Sequence, residues 1–249
     1  VIAASTGNHG QSLAHAGKTF GIPVTIVAPV GANPLKLEAM RGYGATIIEH
    51  GVDYDEAREE CERRAAAGGL RYVHSGNEPY LIAGVATAAL EVLEERPDID
   101  VLIVPVGGGS GAAGACIVAK HMKPSIRVIG VQSEGAPAAY LSWRDRQPRE
   151  GGPIRTFAEG LATRTSFDLP QRILIDLLDD FVLVSDEELY RAMRLLLVAG
   201  HQVAEGAGAA ATAAAWKLRV QLRGKTVALW ISGANATAES IQRALATRD

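Results

Sequence analysis

The sequence predicts an α/β fold with two open, mostly parallel sheets, and three observations predict it. Short β-branched segments alternate with longer helical patterns almost throughout, so that strands are joined by helices and not by hairpins. Small, hydroxylic and glycine-rich runs follow the strands and open directly into helices, the layout of βαβ units. Twenty-seven glycines and long alanine-rich tracts suit helices packed closely on a sheet.

Taken in order, the apolar run Val1-Ile2-Ala3-Ala4 reads as a strand that feeds a helix over residues 11–20. Further strands are expected at 24–28, 45–49, 101–105, 127–132, 181–184 and 226–231, each bounded by Gly, Pro or Asp. Helices are expected at 34–41, 54–67, 83–95, 112–121, 187–198 and 208–220. Ser185 before Asp186-Glu187-Glu188 reads as an N-cap with an acidic first turn. The biased run 206–216 (GAGAAATAAAW) reads as a tightly packed core helix, because alanine is the best helix former. A seam over 68–78 divides a small domain, residues 1–75, from a larger one, residues 76–249.

Composition excludes several function classes. A net charge of −3 with acids and bases interspersed argues against nucleic acid or an anionic membrane surface as partner. No apolar run approaches the ~20 residues of a membrane span, and no signal peptide is visible, so a cytoplasmic setting is expected. Cys61 and Cys116 form neither a disulfide framework nor a metal spacing and read as buried thiols. The six histidines lack metal spacing, and His9 alone lies in a motif.

Four stretches carry chemistry. Ser5-Thr6-Gly7-Asn8-His9-Gly10 places hydroxyls and backbone N–H groups at a helix N-terminus, which favours a carboxylate or phosphate. Gly107-Gly108-Gly109-Ser110-Gly111 follows a buried strand and opens a helix, so its consecutive amides can cradle a phosphate. With Gly114 it also spells G-x-G-x-x-G, and Glu134 stands where a ribose-binding acid falls, which keeps a dinucleotide site open. Ser232, in Ile231-Ser232-Gly233-Ala234-Asn235, reads on its own as the cap of a following helix. Glu205 reads as a first-turn acid of the alanine-rich helix.

Together and in this order, these stretches resemble the fold-type II pyridoxal-phosphate enzymes, in the branch of threonine and serine dehydratases and serine racemase. The Thr-Gly-Asn-His-Gly-Gln form of the first loop separates this branch from cysteine synthase-like relatives. The resemblance implies pyridoxal 5'-phosphate as cofactor, with its phosphate on Gly107, Gly108, Gly109, Ser110 and Gly111. It implies Asn8 at the ring hydroxyl oxygen, Ser232 at the pyridine nitrogen, and Glu205 beside the ring. Ser5, Thr6, Gly7, Asn8 and His9 would bind the substrate carboxylate. Ser110 replaces a frequent glycine, which is tolerable only at negative φ. A neutral serine at the ring nitrogen weakens the electron sink and suits loss of a β-hydroxyl. Thr6 keeps a hydroxyl where racemases carry a serine and dehydratases often an alanine, so it is the candidate handler of a second proton. The stretch Thr156-Phe-Ala-Glu159-Gly160 matches a loop that lines the substrate entrance.

Some members of the branch bind a divalent cation. The matching stretch keeps Glu134 and the carbonyl of Ala138 but has Tyr140 in place of a second acid, so no metal is expected. The resemblance also demands a Schiff-base lysine in a Ser-x-Lys segment ahead of the first loop. Lys18, Lys36, Lys120, Lys123, Lys217 and Lys225 read as surface residues, and none matches. The sequence therefore reads as part of a longer enzyme, inactive as given. That enzyme is a dehydratase turning L-threonine or L-serine into a 2-oxo acid and ammonia, expected to be homodimeric and without a C-terminal regulatory domain. A lysine-less binding protein, a serine racemase and a nucleotide-binding dehydrogenase stay open as alternatives.

Overall fold

Side chains alternate across each strand, and this decides which helices cover which face. The computed structural model describes residues 1–247, in two units, Val1–Glu78 and Pro79–Asp249. Residues 248 and 249, counted above in the larger domain, lie outside the described residues.

The first unit runs β1 (Ile2–Ala4), α1 (Asn8–Phe20), β2 (Thr25–Ala28), α2 (Pro34–Gly42), β3 (Thr46–Glu49) and α3 (Tyr54–Gly68). Its sheet is parallel, in the order β1-β2-β3, with Ile2 opposite Thr25 and Thr25 opposite Thr46. Ala3, Ile26 and Ala28 face Ala14 of α1 and Leu37 and Met40 of α2. Ile2, Ala4 and Val27 face Ala57, Cys61 and Ala65 of α3. Asn33 and Asp53 cap α2 and α3 by accepting the amides of Leu35 and Glu56.

The second unit begins with α4 (Pro79–Glu95), β4 (Val101–Pro105), α5 (Ser110–Met122), β5 (Arg127–Ser133) and α6 (Ala138–Asp145). A 3-10 turn (Glu159–Leu161) leads to α7 (Asp168–Leu177), β6 (Asp180–Val184), α8 (Asp186–Val198), α9 (Gly206–Lys217), β7 (Val227–Leu229) and α10 (Ala238–Ala246). Its parallel sheet has the order β6-β5-β4-β7. Val101, Ile103, Ile129 and Val131 pack against α8 and the alanine face of α9, while Leu102, Val104 and Val128 pack against α4, α5 and α7. Helices thus cover both faces of this sheet. From Gly206 to Ala214 every residue of α9 is buried.

The sequence reading placed these strands to within a few residues, though β7 is shorter than the expected 226–231. Helix α1 starts three residues early, at Asn8, and α4 already at Pro79. Two helices of the second unit were not expected, α6 and α7, while α10 was expected as the helix after Ser232 but begins later, at Ala238. Both are short, and a proline stands beside the start of α6 and another within the first turn of α7, which breaks the helical pattern where each begins. No helix among the described residues is long and apolar enough to cross a membrane.

Candidate functional site

In the first unit β1 ends where the 5–10 loop begins, at the carboxyl edge of a parallel sheet, where ligands bind in such folds. Ser5 is buried, and its Oγ accepts the amides of Gly7 at 3.1 Å and Gly10 at 2.9 Å. It therefore shapes the turn into α1 and keeps one proton to donate outward. Gly7 is the N-cap of α1 and brings no side chain of its own, and of the first-turn amides that of Gly10 is taken by Ser5 Oγ. Thr6, Asn8 and His9 are half-buried around that end. The His9 ring points back into the unit, with Nε2 3.2 Å from Val73 O.

Lys36 corrects the reading of the lysines as surface residues, because it is buried, at 7% exposure. Its stem covers Gly7: a Cβ added there would stand 2.5 Å from Lys36 Cδ and 3.2 Å from Nζ. An ammonium is thus built into the loop that the sequence reading assigned to a carboxylate. Its signal was faint, since a lysine in the first turn of an amphipathic helix looks like solvated charge.

In the second unit the 107–111 loop follows β4 directly. Gly109, the N-cap of α5, has φ 88°, in the left-handed region that favours glycine, and no side chain caps the helix. Ser110 is the first helical residue and has negative φ, the condition under which it replaces glycine without strain. A Cβ added at Gly111 meets nothing within 4 Å, so the space before the first turn is open. At Gly107 the reverse holds: a Cβ would lie 2.0 Å from Gly160 O. Gly160 in turn abuts Ala207, with Glu205 Oε1 at 3.8 Å from its own added Cβ. Glu205 N donates to Gly233 O at 3.1 Å. The chain thereby brings 107–111, Gly160, Glu205 and Gly233, next to Ser232, into one cluster of backbone contacts.

Two local readings change, those of Ser232 and Glu205. Ser232 does not cap a helix: α10 starts at Ala238 and is capped by Thr237 Oγ1, leaving Ser232 exposed in an irregular segment. Glu205 is the buried N-cap residue of α9, one position before the first turn. Thr156 Oγ1 donates to Asp186 Oδ1 at 2.5 Å, so this hydroxyl ties the 156–160 loop to α8. Phe157 stacks on Tyr190 with ring centroids 3.9 Å apart. Glu134 Oε1 lies 3.6 Å from Lys217 Nζ, and Ala138 O accepts the Ser142 hydroxyl at 2.8 Å. Burial pushes the thiols of Cys61 and Cys116 up to about 12, which leaves both unreactive.

An uncapped helix start, a left-handed glycine at its cap and open space at Gly111 fit a phosphate held by backbone amides. The family model for pyridoxal-phosphate dependent enzymes matches residues 1–233. The chain belongs to that family. It is 42% identical over 245 residues to the L-threonine ammonia-lyase of Thermotoga maritima, covering 98% of this chain and 60% of that protein. It is 37% identical over 238 residues to the catabolic L-threonine dehydratase TdcB of Staphylococcus aureus, covering 94% of this chain and 69% of that protein. The chain therefore spans less than two thirds of the length of the Thermotoga relative. Among solved structures, the processed threonine deaminase isoform 2 of Solanum lycopersicum superposes with a TM-score of 0.93 at 28% identity, covering 99% of this chain and 73% of that one. Maize serine racemase superposes with a TM-score of 0.91 at 30% identity, covering 99% and 76%. The fold is that of fold-type II pyridoxal-phosphate enzymes.

Proposed function

We propose that this chain forms the cofactor and substrate loops of a pyridoxal-phosphate-dependent threonine ammonia-lyase, which turns L-threonine into a 2-oxo acid and ammonia. The observation that carries this reading is the uncapped start of α5 behind left-handed Gly109, in a chain whose relatives are named threonine ammonia-lyase and dehydratase. Pyridoxal phosphate, when bound, supplies the electron sink that drains the α-carbon.

The residues have separate tasks. The amides of Gly107 to Gly111 hold the phosphate, Asn8 the ring oxygen and Ser232 the ring nitrogen, with buried Glu205 orienting the ring. The start of α1 before Gly10, together with the Ser5 proton, takes the substrate carboxylate. Thr6 handles a proton at the substrate's open side. The cofactor also needs an amine to hold it, and three of the six lysines here are engaged elsewhere. Lys120 bonds Ile126 O and Asp179, Lys123 bonds Pro97 O and Ile99 O, and Lys217 bonds Leu183 O and Glu188. We assign that amine to sequence outside residues 1–249, so that these residues alone bind cofactor without turnover. The same reading extends to serine as a second substrate and to a cytoplasmic homodimer.

The test is direct. The full-length protein, with pyridoxal phosphate, should release a 2-oxo acid and ammonia from L-threonine, and Gly111→Asp should abolish cofactor binding. Protection from proteolysis by NAD and not by pyridoxal phosphate would overturn the reading, and light scattering checks the dimer.

A further inference from the structure

The segment after α3 runs back along the outer edge of β1. Ile2 N donates to Arg71 O at 3.0 Å, Val73 N donates to Ile2 O at 2.9 Å, and Ile2 pairs with Tyr72. Val73 is thereby fixed against the strand that ends in the 5–10 loop. His9, in the first turn of α1, completes the connection through Nε2 on Val73 O. A carbonyl only accepts, so Nε2 of His9 carries the proton. His74 follows in the chain, and its Nδ1 accepts the amides of Gly76 at 2.9 Å and Asn77 at 3.0 Å. Amides only donate, so Nδ1 of His74 is bare and its proton sits on Nε2. The partners thus dictate the tautomer of both rings.

The surroundings keep the rings neutral. Burial lowers the His9 pKa below its ordinary 6.5, against the pull of the Val73 carbonyl. Burial also lowers that of His74, helped by Arg58 of α3 and by His9, and opposed by Glu62 of α3 and Glu78. Glu78 is itself paired with Arg71, and the Tyr72 ring lies 5.7 Å from that of His74.

We propose that His9 and His74 are a pair of positioning residues that clamp the substrate-carboxylate loop to the 71–77 segment while both imidazoles are neutral. This rests on the reading of residues 5–10 as the carboxylate loop. Protonation of His74 sets an N–H against two N–H groups, opens the turn at Gly76 and Asn77, and loosens the carbonyl that His9 holds. The loop then loses its support on acidification, so substrate binding weakens while the chemical step is spared.

The test uses the full-length, cofactor-loaded protein as wild type, His74→Asn and His74→Ala. Asparagine keeps an acceptor for nearby amides, as Asn33 does for Leu35 in this chain, and has no proton to gain. Long-range ¹H–¹⁵N spectra should show both rings as Nε2–H tautomers above about pH 7, and an Nδ1–H form of either overturns the proposal. Exchange of the Gly76 and Asn77 amides, corrected for intrinsic rate, should quicken about tenfold from pH 7 to pH 5.5 in wild type and stay level in His74→Asn. The threonine KM should rise about tenfold over that interval, with kcat little changed; His74→Asn flattens the rise and His74→Ala raises KM at every pH. Equal quickening of exchange in wild type and His74→Asn overturns the clamp, whatever the substrate. If exchange behaves as expected but KM is flat for threonine and for serine, the clamp stands and the carboxylate-loop reading falls.

Discussion

Lys36 and Gly7 share one volume: the lysine stem occupies the place a Cβ on Gly7 would take, with Cδ 2.5 Å and Nζ 3.2 Å from it. The absence of a side chain at the helix cap is what admits a buried ammonium to the loop. Gly7→Ala should therefore expel Lys36 and cost about 1–3 kcal/mol, the usual range for overpacking. Lys36→Ala should relieve most of that cost, so the two substitutions are expected to be strongly non-additive in a thermal-melt double-mutant cycle.

Gly107 and Gly111 separate fold from function within one loop. Gly107→Ala drives a Cβ into the Gly160 backbone, 2.0 Å from its carbonyl oxygen, and should lower stability by about 1–3 kcal/mol or more. Gly111→Ala meets nothing and should melt like wild type. Its methyl nevertheless enters the cradle, so titration of the protein with pyridoxal phosphate should show weaker binding.

Ser185 and Glu188 form a reciprocal cap at the start of α8: Ser185 Oγ accepts Glu188 N at 3.2 Å, and Glu188 Oε2 accepts Ser185 N at 2.8 Å. Ser185→Ala should cost about 1 kcal/mol in chemical denaturation, without altering cofactor binding.

Glu60 should contribute modestly to the acid limb of stability in the first unit, because its arginine partners are exposed. Hydrogen bonds from Arg63 and Arg64 lower its pKa from the ordinary 4.5 to about 2. A lowered carboxylate pKa contributes stability above the unfolded value, and this is lost as pH falls from there through the folded value. Between about pH 4.5 and pH 2, Glu60→Gln should therefore flatten the stability curve of wild type, as read by urea denaturation.

Thr6→Ala should leave elimination of threonine largely intact and abolish any racemisation of serine. Chiral chromatography of the recovered substrate decides it, and unchanged racemisation removes Thr6 from proton handling.

What could be read in advance was local. The cap at Ser185 is written in four consecutive residues, because its hydrogen bonds close within one helical turn. Strand β4 was read residue for residue, since an apolar run stops one residue beyond Pro105, at a glycine run. Ser232 was misread because a small polar residue after a strand looks like a cap, and nothing nearby showed that α10 waits until Ala238. Helices α6 and α7 escaped because their short apolar patterns take meaning only from the surfaces they cover.

By itself, the sequence determined the order of the βαβ units, the two glycine-opened helix starts and, through their combination, membership of the pyridoxal-phosphate dependent family. These rest on backbone conformation and on neighbours within a few residues. Tertiary structure alone decided that Lys36 is buried over Gly7, that Gly107 meets Gly160, and that His9 reaches Val73 across 64 positions of chain. Burial, close approach and tautomer depend on which distant segments pack together, and no periodicity in one stretch encodes its partner.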